Sequence, residues 1–564
     1  MRRPNAARQM SPTANGNGGD ASNSKEQPMS LRARRKAPRT QMGAPHLRVG
    51  GDKASRPAVE WMKAISICLS FVLGFAIFVW SRHSRHMMRQ SANFSEMDRC
   101  DLTTYPLWQI EQLKELNLSD CKKINLPADS DLWKRLSSLK KLDLNNNALR
   151  DLPAEMGALS SLEILFLSDN SLESVPIVIG KLKSLRVLSL RSNLIQELSA
   201  THLPSQLVWL ILTNNKIGNI NANINGLKFL RKLMLSHNEI ESIPVELGAC
   251  KDLELVRLAN NNISTIPREV LTLPKLAWIS LSANPISTPP KKVEKVINES
   301  DIQMQSNIIL GSGASGEVYQ AKYDGKDVAV KMFKEQSKGS DGNAADEAAI
   351  NGLINHPLAI SAIGVIPGED EGGYKGMVMD LLSGSFSLGK VPSFDTVTRD
   401  EGPAAHSETL TKEQVHSVIY NIASVLEYIH SSIGVSHGDI YLHNVLRDGS
   451  YVARLSDWGA SFVYDRDNAE SAAMFERIEV LAFGRLVQNL YQWHLNIAIP
   501  DSTAEATTSL GMFRGKMKMN EMKGGPLTDL IASILQPDQA SRPTFREIKD
   551  KLENIPEFKN DIVS

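Results

Sequence analysis

Residues 139–147 read LKKLDLNNN, and the same LxxLxLxxN frame returns as LEILFLSDN at 162–170 and LRKLMLSHN at 230–238. From Leu113 to Ile286 it recurs about every 23 residues, in about eight copies, and a fixed period of that length marks an array of stacked units. Each unit is a short strand whose leucines bury against its neighbours, because one unit alone cannot enclose a core. The closing asparagine carries both donors and an acceptor, so it can satisfy backbone groups at the turn after the strand. Asn147, Asn170, Asn193, Asn215, Asn238, Asn261 and Asn284 form that ladder, and Cys121 takes the equivalent place in the first unit, where it is expected only to pack.

Strand side chains alternate, so the third and fifth positions of the frame leave the core for the concave face. Ile164, Phe166, Val187, Trp209, Ile211, Met234, Leu255 and Trp278 gather there, and an apolar patch of this kind is expected to be covered. Two covers are open. One is a protein partner held on Phe166, Trp209, Ile211, Met234 and Trp278; the other is a further part of this chain, such as the C-terminal domain or the N-terminal tail. Pairs such as Leu152-Pro153 and Ile243-Pro244 follow several strands, and residues 100–290 thereby resemble an α/β leucine-rich-repeat solenoid of that family's common short type.

Beyond the repeats the pattern changes. Leu310 leads into GSGASGEVY at 311–319, VAVK ends on Lys331, and AADEAAINGLINHP at 344–357 carries Glu347. HGDIYLHN follows at 437–444, DWG at 457–459, LAFG at 481–484 and RPTFREI at 542–548. These ordered motifs resemble the protein kinase family across residues 302–560, which implies an α+β two-lobed domain that uses ATP and Mg2+.

The resemblance implies a nucleotide site formed by Leu310, Gly311, Gly313, Ala314, Gly316, Val318, Ala329, Lys331 and Met379, with the glycines letting backbone approach the phosphates. Lys331 would hold the phosphates and be held in turn by Glu347. Asp439 would accept the substrate hydroxyl's proton, and Asn444 and Asp457 would ligate the metal. Arg542 matches a buried structural arginine. The implied activity is a serine/threonine protein kinase, with ATP and an unidentified protein as substrates.

Several residues depart from the family pattern. Gly438 replaces the arginine before the catalytic aspartate, and Tyr441 stands where serine/threonine kinases usually carry lysine. His443 could add charge near the transferred group or be an ordinary loop histidine. Trp458 replaces a phenylalanine, Glu479 replaces a helix aspartate, and Met474-Phe475-Glu476 stands in for the usual platform motif, which puts the peptide-binding platform in question. A scaffold without catalysis and a small-molecule phosphotransferase therefore stand as alternatives.

N-terminal to the repeats, residues 1–63 are basic, polar and without apolar periodicity, and are expected to be disordered. Residues 64–81 are uncharged and flanked by Trp61, Trp80, Arg82 and Arg85, long enough as a helix for roughly 27 Å, which predicts a single transmembrane helix in contact with membrane lipid. One span so near the start places repeats and catalytic domain on the same side, and the need for ATP makes that side the cytosol. The 63 basic and 63 acidic residues cancel, so nothing in the charge points to nucleic acid. Four cysteines without a repeated short spacing predict neither a zinc site nor a disulfide framework, and fit a reducing compartment.

Overall fold

The structure, a computed structural model, describes residues 91–93, 100–101, 110–121, 124–287, 295–313, 315–334, 342–368, 373–404, 408–448, 452–497, 499 and 525–559. All of these belong to one compact unit, Phe78–Ser564. The basic segment 1–63 lies outside the described residues. The transmembrane expectation is corrected: no helix among the described residues is long and apolar enough to cross a membrane, and segment 64–81 itself lies outside them.

Nine parallel strands stack in chain order as one curved sheet: β1 (Ser91–Asn93), β2 (Glu115–Asn117), β3 (Lys141–Asp143), β4 (Ile164–Phe166), β5 (Val187–Ser189), β6 (Trp209–Ile211), β7 (Lys232–Met234), β8 (Leu255–Arg257) and β9 (Trp278–Ser280). Their central residues stand in register, Leu142 beside Leu165, then Leu188, Leu210, Leu233, Val256 and Ile279, and all seven are fully buried. The asparagine ladder works as the frame requires. Asn238 donates to the carbonyls of Leu212 and Leu235 at 3.0 and 2.9 Å and accepts from Ile217 N–H at 3.0 Å. The residue before each ladder asparagine, from Asn146 to Ala283, sits at φ between 52° and 59°, which turns the chain sharply out of the strand.

Cys121 differs from expectation, because it is disulfide-bonded, which does not fit the reducing compartment read from the cysteine spacing. Cys250 is free and buried.

The C-terminal half has two lobes. In the first, β10 (Ile302–Ser312), β11 (Gly316–Tyr323), β12 (Lys326–Phe333), β13 (Ala362–Pro367) and β14 (Tyr374–Asp380) form an antiparallel sheet ordered β10-β11-β12-β14-β13, with helix α1 (Ala344–Leu353) against it. Asn343 caps α1 by accepting from Asp346 N–H, so the helix starts just before Asp346 and Glu347. The second lobe packs α2 (Lys412–Tyr428), α3 (Ala469–Leu490) and α4 (Phe545–Asn554) together. Capping boxes at Thr411/Gln414 and Thr544/Glu547 fix where α2 and α4 begin.

Of the two covers left open by the sequence, the chain itself takes this face, with the second lobe and the segment before it packed there. Phe394 sets its ring 5.4 Å from Phe166 and 5.3 Å from Trp209, and Val397 packs with Val187, Trp209, Met234 and Ile211. Leu255 and Trp278 are continuous with the core built on α2, α3 and α4. The loop around 383–411, which carries Phe394 and Val397, thus has an apolar floor waiting for it. Val397 is 1% exposed there, and a side chain covered so fully contributes about 1.5–3 kcal/mol to the docking, whereas Phe394 stays 41% exposed and contributes less.

Candidate active site

A cleft of about 890 Å3 lies between the lobes. Leu310, Gly311, Gly313, Gly316, Val318, Ala329, Lys331 and Met379 line it, as do Glu347, Asp439 and Asp457; Ala314 lies outside the described residues. Gly316 must be glycine, since a Cβ there would fall 2.3 Å from the Met332 carbonyl oxygen on the next strand. Lys331 on β12 donates through Nζ to the Glu347 carboxylate on α1, with side chains only 11% and 2% exposed. An ammonium fixed by a buried carboxylate is held in one place over the cleft rather than swinging on its stem.

Across the cleft, strand Val435–Ser436 pairs with Phe462–Val463 and delivers the 437–444 loop. Glu479 of α3 accepts from the backbone N–H of His437 and of Gly438, and from His430 Nε2 at 2.7 Å. Burial opposes a charge on Glu479, but the His430 hydrogen bond, the fields of His430 and His437 and the Gly438 N–H outweigh it and lower its pKa. The longer carboxylate thus anchors the loop, and that part of the platform is intact despite the substitution.

Asp439 has both oxygens engaged. Asn444 Nδ2 donates to Oδ2 at 2.8 Å and to the Asp439 carbonyl at 2.9 Å, while Arg257 of β8 donates through Nη2 to Oδ1 and through Nη1 to the Gly438 carbonyl at 2.6 Å. Burial raises the Asp439 pKa, but Arg257, His443 and His437 together with the Asn444 hydrogen bond more than offset it, and the net shift is downward. Asp439 is therefore ionised at neutral pH and free of its own proton. Asn444 stands one layer behind the cleft wall rather than in it.

Asp457 is exposed in the cleft, at φ 63°, with Gly459 N–H 3.3 Å from Oδ1. The Asp457 carboxylate, exposed in the cleft, is a hard oxygen donor of the kind Mg2+ prefers, and the NH2 of Asn444 is spent on Asp439, which leaves its amide oxygen as the second donor of this region although Asn444 does not line the cleft. Among the described residues no cluster of three or more carboxylate, histidine or cysteine side chains is placed to hold a metal.

The departures take definite places. His443 Nδ1 pairs with Asp400 at 2.6 Å, and Asp400 also accepts from Leu442 N–H at 3.0 Å, so this histidine ties the loop to the 383–411 segment and does not line the cleft. Burial lowers its pKa, yet the Asp400 hydrogen bond and the carboxylates of Asp439, Asp400 and Asp457 raise it on balance. Trp458 is buried and donates from its indole to the Ile360 carbonyl at 2.8 Å. Tyr441 stacks on Trp278 of the repeats at 4.6 Å with the rings 4° from parallel. Arg542 is buried and donates to the carbonyls of Gln536, Arg477 and Pro274.

Reading the sequence missed Arg257. Its signal was there: in LELVRLANN at 253–261 it holds the fifth, concave position of the frame, where the other copies carry Asn117, Asp143, Phe166, Ser189, Ile211, Met234 and Ser280 and none carries a cation.

The chain is similar in sequence to known families along both halves. Residues 304–478 match the family described as protein kinase domain, 228–286 match leucine rich repeat, and 160–204 match leucine rich repeats in two copies. A probable serine/threonine-protein kinase of Dictyostelium discoideum is 29% identical over 31% of this chain and 11% of its own length. A second from the same organism is 26% identical over 46% of this chain and 16% of its own. A probable leucine-rich repeat receptor-like protein kinase of Arabidopsis thaliana, IMK3, is 33% identical over 27% of this chain and 18% of its own. The chain therefore spans less than a fifth of the length of these relatives.

Proposed function

From a chain that joins leucine-rich repeats to a protein kinase domain, we propose an ATP-dependent protein kinase that phosphorylates serine or threonine. The observation that carries the reading is the convergence of Lys331, paired to Glu347, with Asp439 and Asp457 on one cleft. Phosphoryl transfer asks little covalent chemistry of a protein; it asks for positioned charge, and this is positioned charge.

In this reading the glycine-rich edge, Gly311 to Gly316, lies along the phosphates, and Lys331 neutralises them. Asp439, held by Asn444, accepts the acceptor hydroxyl's proton. Asn444 and Asp457 hold Mg2+, which when bound neutralises phosphate charge. The relatives named as serine/threonine kinases support the choice of acceptor.

The test is transfer of labelled phosphate from ATP by the full-length chain to itself or to a generic protein substrate. Wild type should be active, and Asp439→Asn and Lys331→Ala should each fall by at least about 10²-fold. Equal counts in all three samples would mean a scaffold. Transfer only to small alcohols would favour the small-molecule phosphotransferase.

A further inference from the structure

Gly438 and Arg257 are two halves of one feature. Gly438 is at φ 74°, and a Cβ on it would fall 2.5 Å from the Ala460 carbonyl oxygen and 2.8 Å from that of Ile279 in the repeat strand β9. The residue that lacks a side chain in this loop thus sits hard against the repeat backbone. One strand away, Arg257 reaches across and places its guanidinium on the Gly438 carbonyl and the Asp439 carboxylate.

We infer that Arg257 is a positioning residue for Asp439, supplied by the repeats from outside the C-terminal lobes. The Arg257 side chain is 3% exposed and the Asp439 side chain 18%, so solvent screens the pair little. Its planar fork spans backbone and carboxylate at once, which fixes the direction of Asp439 and not only its charge. Asn444 holds the other carboxylate oxygen, so the base is gripped from two sides and has one orientation.

Two further contacts show that docking and assembly of the site coincide. Ala283 N–H of the repeats donates at 2.6 Å to Asp346, the neighbour of Glu347 on α1, and Ser287 Oγ donates at 3.0 Å to the Val463 carbonyl, just after the DWG segment. No repeat residue lines the nucleotide cleft, so the docked repeats leave it open. The inference rests on the proposed kinase reading.

The experiment is steady-state kinetics of the full-length chain as wild type, Arg257→Ala and Arg257→Lys, with thermal melts to show that each is folded. Arg257→Ala should lose about 10²-fold in kcat with KM for ATP within about twofold, the loss expected when a reacting group is misplaced by about 1 Å. Arg257→Lys should regain only part. Added guanidinium at millimolar concentration should restore Arg257→Ala but not Asp439→Asn, an effect that loss of packing alone would not give. A folded Arg257→Ala as active as wild type, or more active, overturns the inference while leaving the kinase reading intact. A wild type no more active than Asp439→Asn overturns the kinase reading, and this inference with it.

Discussion

At the scale of single residues, the departures from the family pattern make sense as a set. Gly438 yields space to Ala460 and Ile279, Tyr441 stacks on Trp278, and His443 pairs with Asp400, so each odd residue of the loop packs against the repeats or the 383–411 segment. Putting a side chain at 438 should therefore cost twice, through the left-handed backbone and through contact with the Ala460 and Ile279 carbonyls. Gly438→Ala is expected to lower the unfolding free energy by about 1–3 kcal/mol, read by denaturant titration. A variant as stable as wild type would mean the loop yields easily and that the close approach imposes nothing. Trp278→Ala should cost more, about 3–5 kcal/mol, since a ring that is 1% exposed leaves both a cavity and the Tyr441 face behind. The same measurement decides it.

At the scale of elements, strands were legible wherever the repeat period governs them. Eight strands of the sheet, β2 to β9, follow from leucine spacing, and their central column Leu142 to Ile279 is what the LxxLxLxxN frame dictates, whereas β1 at Ser91–Asn93 lies ahead of the frame and was not read. The glycine run, Lys331, Glu347, Asp439 and Asp457 line one cleft, and each lies in a local motif that a reading of the sequence can single out by its residue types. What the sequence could not give was pairing at long separation. Arg257 and Asp439 are 182 residues apart, and neither the frame nor the loop motif says which surface faces which. The cover on Phe166 and Trp209 had the same difficulty, since Phe394 sits in a loop with no periodicity to place it. Ladder asparagines offer a check on the part that was read correctly. Asn238→Ala leaves the Leu212 and Leu235 carbonyls and the Ile217 N–H without their buried partner, and should cost at least about 2–3 kcal/mol by thermal unfolding. A loss below about 0.5 kcal/mol would show the turn is held by backbone alone.

At the scale of the whole molecule, the repeats and the C-terminal half are joined by a buried charge network as well as by apolar contact, and this makes the junction sensitive to acid. Glu254 of the repeats takes Arg231 at 3.1 Å and the Thr398 hydroxyl, with Arg399 at 3.9 Å, and its carboxylate is only 8% exposed. Burial works against its charge, but Arg399, Arg231 with its hydrogen bond, and Arg485 prevail and bring its pKa from 4.5 to about 2. Because the folded value lies below the unfolded one, the network's contribution is complete above about pH 4.5 and is lost as pH falls towards 2. Other carboxylates titrate over the same range, so the measurement is a difference: unfolding free energy against pH for wild type and for Glu254→Gln. At neutral pH the variant should be weaker by about 3–5 kcal/mol, because the arginines keep their burial and lose their counter-charge. The gap should then narrow steadily between pH 4.5 and 2, as wild type protonates the same group that glutamine mimics. Two curves that stay parallel through that window would remove Glu254 from the junction's energetics and leave docking to Phe394, Val397 and Trp278 alone.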